Sequence, residues 1–353
     1  MPSTPTPPPS SVRPPDEPVA SGPQGVARVS VLGTGSFLPA RVMTNADLEM
    51  IVDTNDEWIT SRTGIKERRI AAEGEHASDL GAHAARAALE NAGISAAEVD
   101  LILVATASPD MFFPSTGCVI QSLIGARKAA AMDISAACSG FLYALEMARH
   151  MITGGAIRYA LIIGTEKLSA MVDWTDRNTC VLFGDGAGAI VLGPRQEGRG
   201  EGVLTTLMGS DGDYGGILGV PGGGTRLPIT KENFDQRLNT IKMQGKETFK
   251  QAVSAMTSAC IEALERTGLS INDIKCIIPH QANFRIIDAI ADRLKVPEEK
   301  FFLNLAVYGN TGAAAVAIAL DEAHRTGRFQ SGDKVLLVVF GSGLTWASAI
   351  IDW

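Results

Sequence analysis

Phe183-Gly184-Asp185-Gly186 runs into the apolar stretch Ala187–Leu192, and Phe340-Gly341-Ser342-Gly343 runs into Leu344–Ile351. Working outward, each stretch has the same kind of sequence before it. The apolar run Leu101–Ala105 lies about thirty residues ahead of Ala137-Cys138-Ser139-Gly140, and Lys275–Pro279 lies about thirty ahead of Gly309-Asn310-Thr311-Gly312. Both small-residue turns open a helical pattern. A chain that repeats strand, turn, helix and strand in this way reads as two copies of one α/β unit. Copies of that kind pack face to face and share a site at their junction.

The 353 residues are 45% hydrophobic and 20% charged, enough apolar material for a large core. A net charge of -8 argues against a general nucleic-acid binder. The five cysteines, Cys118, Cys138, Cys180, Cys260 and Cys276, are odd in number and contain no CxxC pair. Reduced thiols in a cytoplasmic protein fit this better than a disulfide framework or a zinc site. No apolar run is long enough for a membrane span. Nine of the seventeen prolines fall in residues 1–26, which lack the apolar core of a secretory signal and read as a disordered, partly polyproline tail. Domain boundaries are expected at 1–26 for the tail, 27–200 for the half with Cys138, and 201–353 for the half with His280 and Asn310.

Element signals alternate along the rest. A strand is expected over Val29–Leu32, stopped by Gly33-Thr34-Gly35. Thr44 is expected to cap a helix through Val52, and Thr54 the next, with Glu57 completing a capping box. An amphipathic helix is expected from Ser78 to Asn91, and strands buried on both faces at Leu101–Ala105, Ala130–Ile134 and Tyr159–Gly164. Cys138–Ile152 reads as a helix and Cys180–Leu192 as a glycine-interrupted strand. Helices are then expected over Lys246–Thr267, Asn283–Leu294 and Thr311–Arg325, with strands at Lys275–Pro279, Lys334–Phe340 and Leu344–Ile351. Strands alternating with helices imply a layered α/β architecture.

Cys138 stands where a strand gives way to a helix, in Asp133-Ile134-Ser135-Ala136-Ala137-Cys138-Ser139-Gly140. The helix dipole and unpaired N–H groups there favour a thiolate, and the small neighbours let a substrate come close. The same cysteine could also be a small buried hydrophobe. His280 ends the apolar run Cys276–Pro279, the end at which α/β sheets bind ligands, though a structural histidine fits the position equally well. Asn310, between two glycines and ahead of an alanine-rich helix, reads by propensity as a cap or turn residue. Together the three suggest Cys/His/Asn chemistry, which cysteine hydrolases also use.

Longer motifs separate these readings. Gly33-Thr34-Gly35-Ser36, Thr54-Asn55-Asp56-Glu57-Trp58-Ile59, Arg62-Thr63-Gly64-Ile65, Phe183-Gly184-Asp185-Gly186-Ala187-Gly188, Pro279-His280-Gln281-Ala282-Asn283 and Gly309-Asn310-Thr311 follow one another in order. From Val29 to Trp353 the chain resembles the β-ketoacyl-acyl-carrier-protein synthase III family, the initiating condensing enzymes of type II fatty-acid synthesis. The resemblance implies the thiolase fold: two similar α/β halves in a five-layered α-β-α-β-α sandwich, assembled as a homodimer. It also implies a decarboxylative condensation of a short acyl-CoA, such as acetyl-CoA, with malonyl-acyl-carrier protein.

The same resemblance assigns roles. Cys138 matches the acyl-accepting nucleophile, and His280 and Asn310 the pair that binds the malonyl thioester carbonyl. Backbone N–H groups of Cys138 and Ser342 match the oxyanion hole, although that second position is often glycine. Trp58, Arg62 and Arg177 match residues that hold the coenzyme A adenine and phosphates, and Asn283 lies along the pantetheine tunnel. Lys250 and Arg285 match basic residues where an acidic carrier protein docks; Asp292 before Arg293 departs from that pattern. Phe113 matches a residue that closes the acyl pocket across the dimer interface. No metal or organic cofactor is implied, because coenzyme A thioesters are substrates and the thioester is itself the electron sink.

Other features carry less. Gly184-Asp185-Gly186-Ala187-Gly188 precedes a strand, so it is no dinucleotide loop, and Gly222-Gly223-Gly224 lacks the lysine and helix of a phosphate loop. His76 and His83 have no partners arranged for zinc. The rival functions are a type III polyketide synthase, a relative joining coenzyme A esters, a non-catalytic carrier-binding paralogue and a Cys/His/Asn hydrolase.

Overall fold

The computed structural model describes residues 28–353, so the expected tail at 1–26 lies outside the described residues. The first half contains strand β1 (Val29–Phe37), the hairpin strand β2 (Arg41–Thr44), helices α1 (Asn45–Glu49) and α2 (Asp56–Thr63), and β3 (Glu67–Ile70), which pairs with β2. Then follow α3 (Ala77–Ala92), β4 (Leu101–Ala105), α4 (Thr116–Ile124), β5 (Ala130–Ile134), α5 (Gly140–Thr153), β6 (Ala160–Glu166) and β7 (Gly186–Pro194). The second half contains β8 (Gly202–Ser210), the short pair β9 (Leu218–Gly219) and β10 (Lys242–Met243), α6 (Gly245–Thr267), β11 (Ile274–Pro279), α7 (Phe284–Leu294), α8 (Leu305–Tyr308), α9 (Ala315–Arg325), β12 (Lys334–Gly341) and β13 (Thr345–Asp352).

Two sheets carry the architecture. One has the order β1-β7-β6-β4-β5; the other, read from its far edge, is β8-β13-β12-β11, and a parallel bridge from Ile277 to Phe301 continues it. The parallel and antiparallel pairings match step for step. Helices α5 and α9 lie between the sheets, α3 and α4 cover the first, and α6 and α7 cover the second. That is a five-layered thiolase fold. The central core joins Leu103, Phe141 and Leu145 of one half to Val316, Leu337 and Val339 of the other.

Several expectations change for physical reasons. β1 does not stop at Gly33 but runs to Phe37, because its glycines serve packing. A Cβ on Gly33 or Gly35 would sit 2.4 or 2.3 Å from the backbone of α3, so only glycine admits that helix. The cap of α2 is Asn55 rather than Thr54; its side chain accepts from the Trp58 N–H at 2.8 Å. β5 is not buried on both faces: it is an edge strand, and Met132 is 40% exposed. Cys180–Phe183 lies outside β7, which begins at Gly186. The two Phe-Gly motifs therefore lead into equivalent strands without being equivalent themselves. Phe183 bridges to Asn310, whereas Phe340 lies within β12 opposite Trp346. Strand β8 and helix α4 had no sequence signal strong enough to announce them.

Candidate active site

The Cys138 turn begins where β5 ends. Ala137 has a left-handed φ of 46°, unusual for a residue with a Cβ and costing about 1–2 kcal/mol. It throws the chain into a 3-10 turn over Ala137–Ser139 that leads into α5. This strained corner brings Cys138 to the mouth of the helix. Behind it, Gly341 at the end of β12 packs so closely that a Cβ would lie 2.8 Å from the Cys138 N and 3.0 Å from the Ser139 N. The Thr345 hydroxyl reaches Ala136 O at 3.0 Å and Ser342 O at 3.1 Å, joining the cysteine turn to the Ser342 turn. The Ser342 hydroxyl donates to Leu218 O on the cavity wall. Sequence reading missed Thr345, which stands in no chemistry-bearing motif, and the part played by the Ser342 hydroxyl, because the resemblance gave a role only to that residue's backbone N–H.

His280 follows β11, where its N–H donates to Val338 O at 2.7 Å. The ring is buried, and its Nδ1 has no hydrogen-bond partner among the described residues. Burial pushes its pKa down to about 4, so the imidazole is neutral at pH 7. Asn310 is fixed from both sides. Its N–H donates to Leu182 O at 2.8 Å, its carbonyl accepts from Gly184 N at 3.0 Å, and its side-chain Oδ1 accepts from Gly312 N at 2.9 Å. With the amide oxygen occupied, the NH2 group is the part left to donate. Gly309 and Gly312, with φ of 65° and 57°, make this turn possible.

Cys138, His280, Asn310 and Ser342 line one cavity of about 730 Å³, within the range of roughly 300–1,000 Å³ usual for ligand sites. The expected thiolate is corrected: burial first, then the Glu166 carboxylate, pushes the Cys138 thiol up to about 12. Desolvation outweighs the helix terminus, and the resting group is a thiol. Glu166 lines the same cavity, and sequence reading passed over it because a lone glutamate at a strand end carries no motif.

Trp58, Arg62, Asn283 and Arg285 line the outer part of the cavity. The guanidinium carbons of Arg62 and Arg177 stand 4.7 and 5.2 Å from the Trp58 ring centroid, and Arg177 donates to Asp53 O at 3.1 Å. Asn283 also caps α7, accepting from Arg285 N at 2.9 Å. Lys250 is exposed one helical turn beyond Lys246, which lines the cavity and was not singled out from sequence. Phe113 does not line the cavity of its own chain; it is 85% exposed in the loop after β4. Among the described residues, no group of three or more His, Cys, Asp or Glu could hold a metal ion, and no helix is long and apolar enough to cross a membrane.

A cysteine turn and an amide turn, delivered to one tunnel by two like halves, define the class: an acyltransferase of the thiolase fold. Comparison narrows this. Residues 132–212 match the model described as 3-Oxoacyl-[acyl-carrier-protein (ACP)] synthase III, and residues 264–353 match that of its C terminal part. A β-ketoacyl-[acyl-carrier-protein] synthase III of Caldanaerobacter subterraneus is 54% identical over 92% of this chain and 97% of its own. The crystal structure of a 3-oxoacyl-[acyl-carrier-protein] synthase III from Aquifex aeolicus superposes with a TM-score of 0.85 at 46% identity, covering 92% of this chain and 100% of that one. The priming β-ketosynthase of the R1128 polyketide pathway superposes with a TM-score of 0.85 at 37% identity, covering 94% and 98%. The chain belongs to the β-ketoacyl-[acyl-carrier-protein] synthase III family, the initiating condensing enzymes of fatty-acid synthesis.

Proposed function

We propose that this protein transfers a short acyl group from coenzyme A to Cys138 and condenses it with malonyl-acyl-carrier protein. The observation that carries this reading is the amide of Asn310, held with its oxygen occupied and lining one cavity with Cys138 and a neutral His280. Because Cys138 rests as a thiol, its proton must leave as sulfur attacks the thioester. Neutral His280 takes that proton and returns it to the departing coenzyme A sulfur. The acyl group stays on Cys138 and the imidazole is neutral again.

Malonyl-carrier protein then enters the same tunnel. The Asn310 NH2 and an imidazole N–H donate to its thioester oxygen. As carbon dioxide leaves, negative charge gathers on that oxygen, and donors placed where charge develops are worth about 2.7–4 kcal/mol each. The freed carbon attacks the acyl carbonyl, whose oxyanion is met by the N–H groups of Cys138 and Ser342, and the cysteine sulfur leaves as a thiolate that takes up one proton from solvent to restore the thiol. The thioester supplies the electron sink, so this scheme calls for no cofactor.

Trp58, Arg62, Arg177 and Asn283 are the proposed coenzyme A contacts, with stacking for adenine and charge for phosphate. Lys246, Lys250 and Arg285 ring the approach an acidic carrier protein would use. Met111, Phe112, Phe113 and Met132 are exposed together with the open edge of β5, an apolar face suited to a homodimer that would set Phe113 in the partner's acyl pocket. The five free cysteines fit a cytoplasmic protein, and the boundary between the halves is proposed at residues 200/201. The likeness to a polyketide priming synthase favours a second reading, in which the same condensation feeds a polyketide. A panel of acyl-CoAs, tested with malonyl-carrier protein and with malonyl-CoA and read by product mass, tests both. Absence of a β-ketoacyl product with every pair would sink the proposal.

A further inference from the structure

Glu166 ends β6 and is wholly buried, yet among the described residues neither an arginine nor a lysine forms an ion pair with it. Backbone and hydroxyl donors answer it instead. Oε2 accepts from the Ser108 hydroxyl at 2.6 Å, the Ser108 N–H at 3.1 Å, the Ala107 N–H at 3.1 Å and the Thr106 hydroxyl at 3.4 Å. Oε1 accepts from the Ala107 N–H at 3.1 Å and, across the junction, from the Ala313 N–H at 3.2 Å. The carboxylate thus ties the loop after β4, in one half, to the turn ahead of α9, in the other.

That turn carries Asn310. Its main chain is set by the bridge to Phe183, but the rotation of its side-chain amide is set by Gly312, whose N–H holds Oδ1 at 2.9 Å. Gly312 in turn rests on Glu166, where a Cβ would come within 2.8 Å of Oε1. We propose that Glu166 is a positioning residue: through Gly312 and Ala313 it fixes the direction in which the Asn310 amide donates. This rests on the condensing-enzyme reading and adds to it a residue that serves decarboxylation but not acyl transfer. A glutamine in its place has one acceptor oxygen and one NH2 group. Whichever way it turns, N–H faces N–H on one side of the bridge.

The test compares the two half-reactions in the full-length protein. Acetyl transfer to Cys138 is followed with radiolabelled acetyl-CoA, and decarboxylation with carboxyl-labelled malonyl-carrier protein. Glu166→Gln should lower the decarboxylation kcat at least tenfold with KM nearly unchanged, and change acetyl transfer by less than threefold. Ser108→Ala, a milder loss from the same bridge, should show the same split at smaller size and serves if the first variant does not fold. Equal loss in both half-reactions, or loss in neither, overturns the proposal while leaving the condensing-enzyme reading intact. A wild-type protein inactive in both half-reactions overturns that reading, and this proposal with it.

Discussion

The Cys138 turn and the Asn310 turn occupy the same place in the two halves, each leading into the helix that lies between the sheets, but they are backed differently. Behind the asparagine turn stands Glu166, at the end of the third strand of the first sheet. Behind the cysteine turn stands Gly341, at the end of the third strand of the second. The amide must be aimed, and a buried carboxylate aims it through hydrogen bonds. The thiol must give up a proton, and a carboxylate directly behind it would hold that proton harder; a glycine allows close packing without charge. In the proposed chemistry, one scaffold used twice supplies a rigid donor on one side and an ionisable nucleophile on the other.

This contrast can be broken by removing either reactive group. Cys138→Ala should reduce acyl transfer to the detection limit while malonyl decarboxylation continues; a labelled acyl protein from that variant would refute the assignment. Asn310→Ala should keep acetylation and lose condensation by roughly a hundred- to a thousandfold, the worth of one such donor. Labelled acetyl on the protein and β-ketoacyl product by mass are the two readings.

The packing glycines sharpen it at smaller size. Gly341→Ala drives a methyl into the Cys138 and Ser139 amides, an overpacking worth about 1–3 kcal/mol. It should slow acyl transfer roughly tenfold or more and decarboxylation less. Gly312→Ala, at φ 57° and against Glu166, should do the reverse. Equal effects of each on both half-reactions would mean that the turns are not separately tuned.

Distinct pH profiles should follow. Neutral imidazole is the working form for decarboxylation and is lost only as pH drops through 4, but the Glu166 carboxylate that aims Asn310 takes up its proton near 7, so that rate should begin to fall below pH 7. Thiol with neutral His280 as its base is the working form for acylation, so that rate should stay level from pH 9 to about 5 and fall as pH drops through 4, with no rise toward the thiol's own pKa near 12. The smallest effect concerns charge alone. Glu166 has a pKa raised to about 7 by burial, so it is ionised at pH 8. Glu166→Gln should therefore speed alkylation of Cys138 a few-fold at that pH, as peptide mass spectrometry would show.

Much of this was legible beforehand, because local chemistry announces itself locally. All-apolar runs such as Leu101–Ala105 and Ile277–Ile278, small-residue turns at Cys138 and Asn310, and the order of six motifs were enough for the layered halves and for singling out Cys138, His280 and Asn310, which line one cavity. β8 was not legible, since its half-polar stretch Gly202–Ser210 alternates poorly. Nor was the exposed edge of β5, whose composition resembles that of its buried neighbours.

What the sequence determined by itself is which residue types stand at which turns, since backbone propensity, glycine placement and apolar runs act over a few neighbours. Tertiary structure alone decided how those turns meet: that Gly341 backs Cys138, that Glu166 reaches Ala313, and that the thiol keeps its proton. Desolvation and hydrogen bonding between residues more than a hundred positions apart depend on the closing of two halves, and no local pattern encodes that distance.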